Sequence, residues 1–230
     1  MIRRIKDYGK KAPSKDAHKV YIVCEGADTE PLYFEFFQNC SSNLQIITIP
    51  PTDGTDPLKL MEKAKQELLH EGGKYLLDYQ HGDTVWFVID TDTWEKEGKI
   101  TPLRTFCREQ NAVVGAGFDE IRPYEAWHMA QSNPCFEIWL YYHFYDAKPN
   151  DEEIADYSSF KAFVDRSIAG GFNYSIDPAR LETAIRNSAA LTEYDADIKL
   201  MIYGTEVFRL GNEILKFTKR ELDKLKNKLG

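Results

Sequence analysis

The sequence predicts an α/β fold, a mostly parallel sheet flanked by helices with a helical C-terminal appendage. Three observations predict it. Two apolar runs, 20–24 and 85–89, have strand length and stop at carboxylates, Glu25 after the first and Asp90 and Asp92 after the second. Strand-like and helix-like stretches then alternate as βαβαβ, which favours parallel strands with helices on both faces. From Asp146 onward the patterns are helical.

Each element has a local reason. After the first strand, the turn 25–29 leads to a helix over 30–37, with Thr29 able to cap it and Glu30 and Pro31 suited to its first turn. A second strand, Leu44–Ile49, stops at Pro50-Pro51. The loop 52–57 ends in Asp56-Pro57, a start signal for a helix through Leu60, Ala64 and Leu68. The strand 84–89 follows. Residues 100–110 read as a helix, and 111–124, broken by Asn, Gly and Pro, as irregular chain with one short strand. A further strand over 126–130 runs to the turn 131–134, and 135–144 reads as a strongly apolar helix with Glu137 its sole acidic residue. Helices over 159–168, 178–191 and 205–229 complete the chain.

Three segments result: a basic arm over 1–18, an α/β domain over 19–146 and the appendage over 147–230. With 230 residues, 43% of them hydrophobic, the chain can bury a substantial core. Its net charge of −8 disfavours non-specific nucleic-acid binding, but the charge is uneven. Arg3, Arg4, Lys10, Lys11 and Lys19 make the amino end basic, and Lys216, Lys219, Arg220, Lys224 and Lys226 do the same for the last helix. These are either solvated faces or contacts to the phosphates of a nucleic acid. Four cysteines form no CxxC pair, so a zinc site is not expected. No run of 18 apolar residues and no leader are visible, which predicts a cytoplasmic protein without a membrane partner.

The chemistry rests on the strand ends. Ligands of open α/β sheets bind beyond the carboxyl ends of the strands, and neighbouring strands would bring Glu25, Asp90 and Asp92 into one small volume. Clustered carboxylates repel one another unless a cation sits between them, which predicts Mg²⁺ or Mn²⁺. The alternatives are local: Asp90 and Asp92 also suit a turn and an N-cap, Glu30 suits a helix start, and Glu137 could satisfy backbone donors at 132–134. His128, His143 and the aromatics of 139–145 read as packing residues.

Three motifs in this order, Glu25-Gly26-Ala27-Asp28-Thr29-Glu30-Pro31-Leu32-Tyr33-Phe34, Asp90-Thr91-Asp92 and Ser132-Asn133-Pro134-Cys135-Phe136-Glu137-Ile138-Trp139-Leu140-Tyr141-Tyr142-His143-Phe144, make the chain resemble the RloB-like family of Toprim-fold proteins from bacterial and archaeal defence loci. The resemblance implies a Toprim core and Mg²⁺-dependent phosphodiester cleavage of DNA or RNA. It implies Glu25 as general acid/base or metal ligand, Asp90 and Asp92 as metal ligands, Glu30 as ligand to a second metal and Glu137 as a less certain one. An ATPase partner, a homodimer and a non-catalytic sensor role are further possibilities that it carries. One departure stands out: no clear basic residue sits beside the Asp90-Thr91-Asp92 loop, where Thr93 and Trp94 are followed by Glu95, Lys96 and Glu97.

Overall fold

The computed structural model describes residues 13–14, 16–52, 54–116 and 124–229. Strands β1 (His18–Cys24), β2 (Leu44–Ile49), β3 (Thr84–Asp90) and β4 (Trp127–Ser132) form one sheet in the order β2-β1-β3-β4, every neighbouring pair parallel. The chain runs outward from β1 to the β2 edge and then returns to the other side of β1 to lay down β3. The strand order therefore reverses between β1 and β3, the crevice where ligands of such sheets bind.

Period-two alternation sends side chains to two cores. Val20, Ile22, Leu44, Ile46, Trp86, Val88 and Ala130 face one layer, built with Tyr33, Phe34, Phe37 and the apolar stripes of α7 (Leu181–Leu191) and α8 (Val207–Leu229). Tyr21, Val23, Val85, Phe87, Ile89, Trp127 and Met129 face the other, against α2 (Pro57–Ala64) and α3 (Ile100–Gly115). Glu182 of α7 holds Lys219 and Lys226 of α8 in ion pairs on their outer faces. A third cluster joins α4 (Glu137–Tyr141) to α6 (Phe160–Ser167) through Ile138, Tyr142, Phe163 and Val164. Between α4 and α6 lies the single turn α5 (Asp151–Ile154).

The local start signals work partly as expected. Asp56 caps α2, its carboxylate accepting from the amides of Leu58 and Lys59, and Pro57 opens the helix. In α1 (Thr29–Glu35), Thr29 lies inside the helix and caps nothing; Glu30 instead folds back, its Oε1 accepting from the amide of Gly26 at 3.0 Å.

Two expectations are corrected. The short strand expected within 111–124 is not formed by the described part of that span, since α3 continues through Gly115; residues 117–123 lie outside the described residues. Asn111, read as a breaker, anchors the helix: its side chain accepts from the amides of Ala126 and Trp127 and donates to the Trp127 carbonyl. The helix expected over 135–144 is regular only over Glu137–Tyr141. On its amino side, the Phe136 amide donates to the Asp90 carboxylate instead of serving the helix. On its carboxyl side, the amides of His143 and Phe144 reach three residues back, to Leu140 and Tyr141, which tightens the turns.

Candidate functional site

The crevice between β1 and β3 gathers acidic side chains from four places. Glu25 follows β1, and its amide still pairs with the Val88 carbonyl of β3 at 3.1 Å. Asp90 ends β3 opposite Ser132 of β4. Glu30 comes from the first turn of α1 and Glu137 from the first turn of α4. Glu25, Glu30, Asp90 and Glu137 lie within electrostatic reach of one another as a chain of neighbours.

Burial sets their acidity. Desolvation pushes the Glu25 carboxyl up to about 7; hydrogen bonds from Trp94 and Asp90 hold it down in part, while Glu30 and Asp92 push it further up. Asp90 is raised well above the usual carboxylate range, first by burial and then by Glu25, Glu30 and Glu137. Glu30 is raised by burial, opposed by the amides of its own residue and Gly26.

The carboxylates face protein donors. Glu25 Oε2 accepts from the Asp90 amide at 2.8 Å and Oε1 from the Trp94 indole at 2.8 Å, so each oxygen has a protein partner. Asp90 Oδ1 accepts from the Phe136 amide at 2.8 Å, and Glu30 Oε1 from Gly26. Glu137 Oε1 stands 3.5 Å from Lys161 Nζ of α6, and its Oε2 is buried without a hydrogen-bond partner. Asp92 is exposed, with φ of 34°, and the segment after β3 is held instead by Thr91, whose amide donates to the Ser132 carbonyl and whose hydroxyl does likewise. Among the described residues, no three His, Cys, Asp or Glu side chains are arranged to hold a metal ion. The expected convergence of Glu25, Asp90 and Asp92 on one cation is therefore not present: Asp92 is exposed after a positive-φ turn, and protein donors engage both oxygens of Glu25 and one of Asp90. The donor set does not fit Mg²⁺ as it stands.

Several residues of the site were missed in sequence. Lys161 brings a basic group to the crevice from α6, and it stabilises the charged forms of Glu30 and Asp90. Trp94 binds Glu25. Gly26 lets Glu30 fold onto it, since an added Cβ would lie 2.0 Å from Glu30 Oε2. Beside the crevice, Glu206 is buried and accepts from Arg104 at 2.9 Å, from Tyr194 at 2.9 Å and from the Gln131 amide at 3.2 Å. Gln131 in turn donates to Thr91, which ties this network to the end of β3.

The other sequence candidates fall elsewhere. Arg3, Arg4, Lys10 and Lys11 lie outside the described residues. Lys19 stands at the amino end of β1, away from the crevice, with its amide and ammonium on the buried Asp83. His143 is fully buried between Tyr33 and the Trp139 carbonyl, so Nδ1 carries the proton and Nε2 accepts from the tyrosine; desolvation lowers it to about 3 and keeps it neutral. His128 stacks on Trp86 with ring centres 4.3 Å apart. No described helix is long and apolar enough to cross a membrane.

Compared with known proteins, residues 20–214 match the family model described as RloB-like protein, so the chain belongs to the RloB-like family. No curated protein and no solved structure matches it.

Proposed function

From a RloB-like chain whose crevice carboxylates are held by its own donors, we propose a Toprim-type binding or sensor module of an antiviral defence system that works with a partner such as an ATPase. The observation that supports this reading is the arrangement of the crevice acids: Trp94 and the Asp90 amide engage both oxygens of Glu25, and among the described residues no three His, Cys, Asp or Glu side chains are arranged to hold a metal ion. The basic charge at both ends of the sequence suits a nucleic acid as the molecule sensed.

A second reading, a nuclease cleaving phosphodiester bonds of DNA or RNA with Mg²⁺ or Mn²⁺, is favoured by a separate observation. A scaffold has no physical need for four mutually repelling carboxylates at the switch point of a sheet, and crowded, desolvated acids mark functional sites. In that reading Glu25, poised at about 7, exchanges a proton near neutral pH, and Lys161 contacts phosphate.

Labelled single-stranded DNA, duplex DNA and tRNA, incubated with the full chain in Mg²⁺ or Mn²⁺ beside Asp90→Ala, separate the two. The module reading expects binding without cleavage and no difference from the variant. Metal-dependent cleavage that Asp90→Ala abolishes would establish the nuclease.

A further inference from the structure

Residues 204–206 pair with the end of β4, and the last of them, Glu206, is 1% exposed, yet two arginines from distant helices meet on it. Arg104 of α3 sets its guanidinium nitrogens 3.4 and 2.9 Å from the two carboxylate oxygens and donates to Gln131 Oε1 at 2.8 Å. Arg209, in the first turn of α8, stands 3.7 Å from Oε1 and donates to the Tyr194 hydroxyl at 3.0 Å. Tyr194 in turn donates to the same carboxylate at 2.9 Å, so one buried group orients both guanidiniums. Keeping Glu206 ionised out of water takes one cationic partner. The second is surplus to that need and leaves the group with a net positive charge.

Of the five N–H groups of a guanidinium, Arg104 gives three to Glu206 and Gln131, and Arg209 gives one to Tyr194. Among the described residues the others make no hydrogen bond, and the two side chains are 37% and 49% exposed. Both forks therefore face water while they are fixed from beneath. The positive end of the 23-residue α8 lies beside them. Gln131 also donates to Thr91, the residue after Asp90, so the pair stands at the carboxyl end of the sheet, beside the crevice.

We infer that Arg104 and Arg209 form a phosphodiester clamp, a site where the backbone of a nucleic acid is held against the carboxyl end of β4. Guanidinium forks match phosphate oxygens, and such contacts fix the position of a strand without reading its sequence. Standing at the surface rather than in an enclosed cavity, the pair suits a polymer that passes over the protein. The clamp rests on a nucleic acid being what the module senses, and it names where that polymer is held. The local charge at this edge, not the net charge of −8, governs the contact.

Fluorescence anisotropy of labelled single-stranded DNA, duplex DNA and tRNA with the full chain in EDTA, over a series of KCl concentrations, tests the clamp without reference to cleavage. Arg209→Met keeps the stem, leaves Arg104 on Glu206 and removes one phosphate contact. It should weaken binding to every substrate by about three- to sixfold at ~0.15 M salt, and flatten the slope of log K against log salt by about 0.9 on duplex DNA and about 0.7 on single strands. Arg209→Lys, which retains the charge, should hold the slope. Lys74→Met, which removes an exposed charge beside the β2 edge, should change neither slope nor affinity. Thermal melting confirms that each variant is folded, and Arg209→Gln stands in should Arg209→Met not fold. A slope that Arg209→Met leaves unchanged, or that Lys74→Met flattens equally, overturns the clamp alone. Displacement of the DNA by micromolar ATP would overturn it in favour of a mononucleotide site. No binding of any of the three by the unaltered chain overturns the clamp and the sensing of nucleic acid together.

Discussion

The Trp94 indole nitrogen donates to Glu25 Oε1 across 2.8 Å, linking the segment after β3 to the carboxylate after β1 at the point where the strand order reverses. The bond has two consequences. It lets a desolvated carboxylate persist by hydrogen bonding its charged form, and it fixes the path of the chain after β3 against the end of β1.

Burying Asp90 beside Glu25, Glu30 and Glu137 is unfavourable when it is ionised. Asp90→Asn retains the Oδ1 acceptor for the Phe136 amide and removes the charge. The substitution should stabilise the protein at neutral pH by about 0.5–2 kcal/mol, as removal of functional strain often does. Urea denaturation at pH 7.5 reads this directly; a destabilised variant would mean that the charge is compensated better than its neighbours suggest.

Glu25 gives stability a pH dependence whose sign is fixed. Its folded pKa, about 7, lies above the ordinary 4.5, so the folded state binds the extra proton. That contribution is fully present below 4.5 and is lost as pH rises through 7. Relative to the unaltered chain, Glu25→Gln should therefore gain stability between pH 4.5 and 8, by up to about 3 kcal/mol. Parallel pH profiles of the two proteins would contradict the assignment.

Gly26 is required by close approach, because the Glu30 carboxylate lies against it. Gly26→Ala should displace that carboxylate and break the bond to the residue 26 amide, destabilising the protein by about 1.5–3 kcal/mol. Gly26→Ala combined with Glu30→Ala, which relieves the clash, should show clear non-additivity in a double-mutant cycle.

Arg104 is the nearer of two arginines on buried Glu206, at 2.9 Å against 3.7 Å for Arg209. Arg104→Ala leaves Glu206 with Arg209, Tyr194 and the Gln131 amide, and its expected effect is a loss of about 1–3 kcal/mol in chemical denaturation, less than the about 3–5 of a wholly buried pair. Because Gln131 also holds Thr91, the Trp94 fluorescence environment should change with it.

The sheet was legible because its signals are local. Residues 20–24, 44–49 and 84–89 each announce a strand, and the helical stretches between them force parallel pairing. The adjacency of Glu25 and Asp90 depended on β1 and β3 being neighbours, which the alternation left open and the order β2-β1-β3-β4 supplies. What a strand end cannot announce is the path of the chain beyond it: the positive φ of Asp92 turns its carboxylate outward and brings Trp94 in, a reversal carried by backbone that no hydrophobic period encodes. Lys161 was invisible for another reason. It reaches Glu137 from a helix placed by packing of Phe163 and Val164 on Ile138 and Tyr142, contacts that sequence spacing does not specify. The apolar run 135–144 looked like an uninterrupted helix because its periodicity cannot show that the Phe136 amide is claimed by Asp90.

The most direct test of the account is the ¹H–¹⁵N signal of the Trp94 indole, assigned by loss of the peak in Trp94→Phe, followed with Mg²⁺ and with pH. A bond to Glu25 predicts a downfield, slowly exchanging proton that titrates near pH 7 and does not move with millimolar Mg²⁺. A fast-exchanging indole, or one displaced by micromolar Mg²⁺, would contradict it and return Glu25 to the metal.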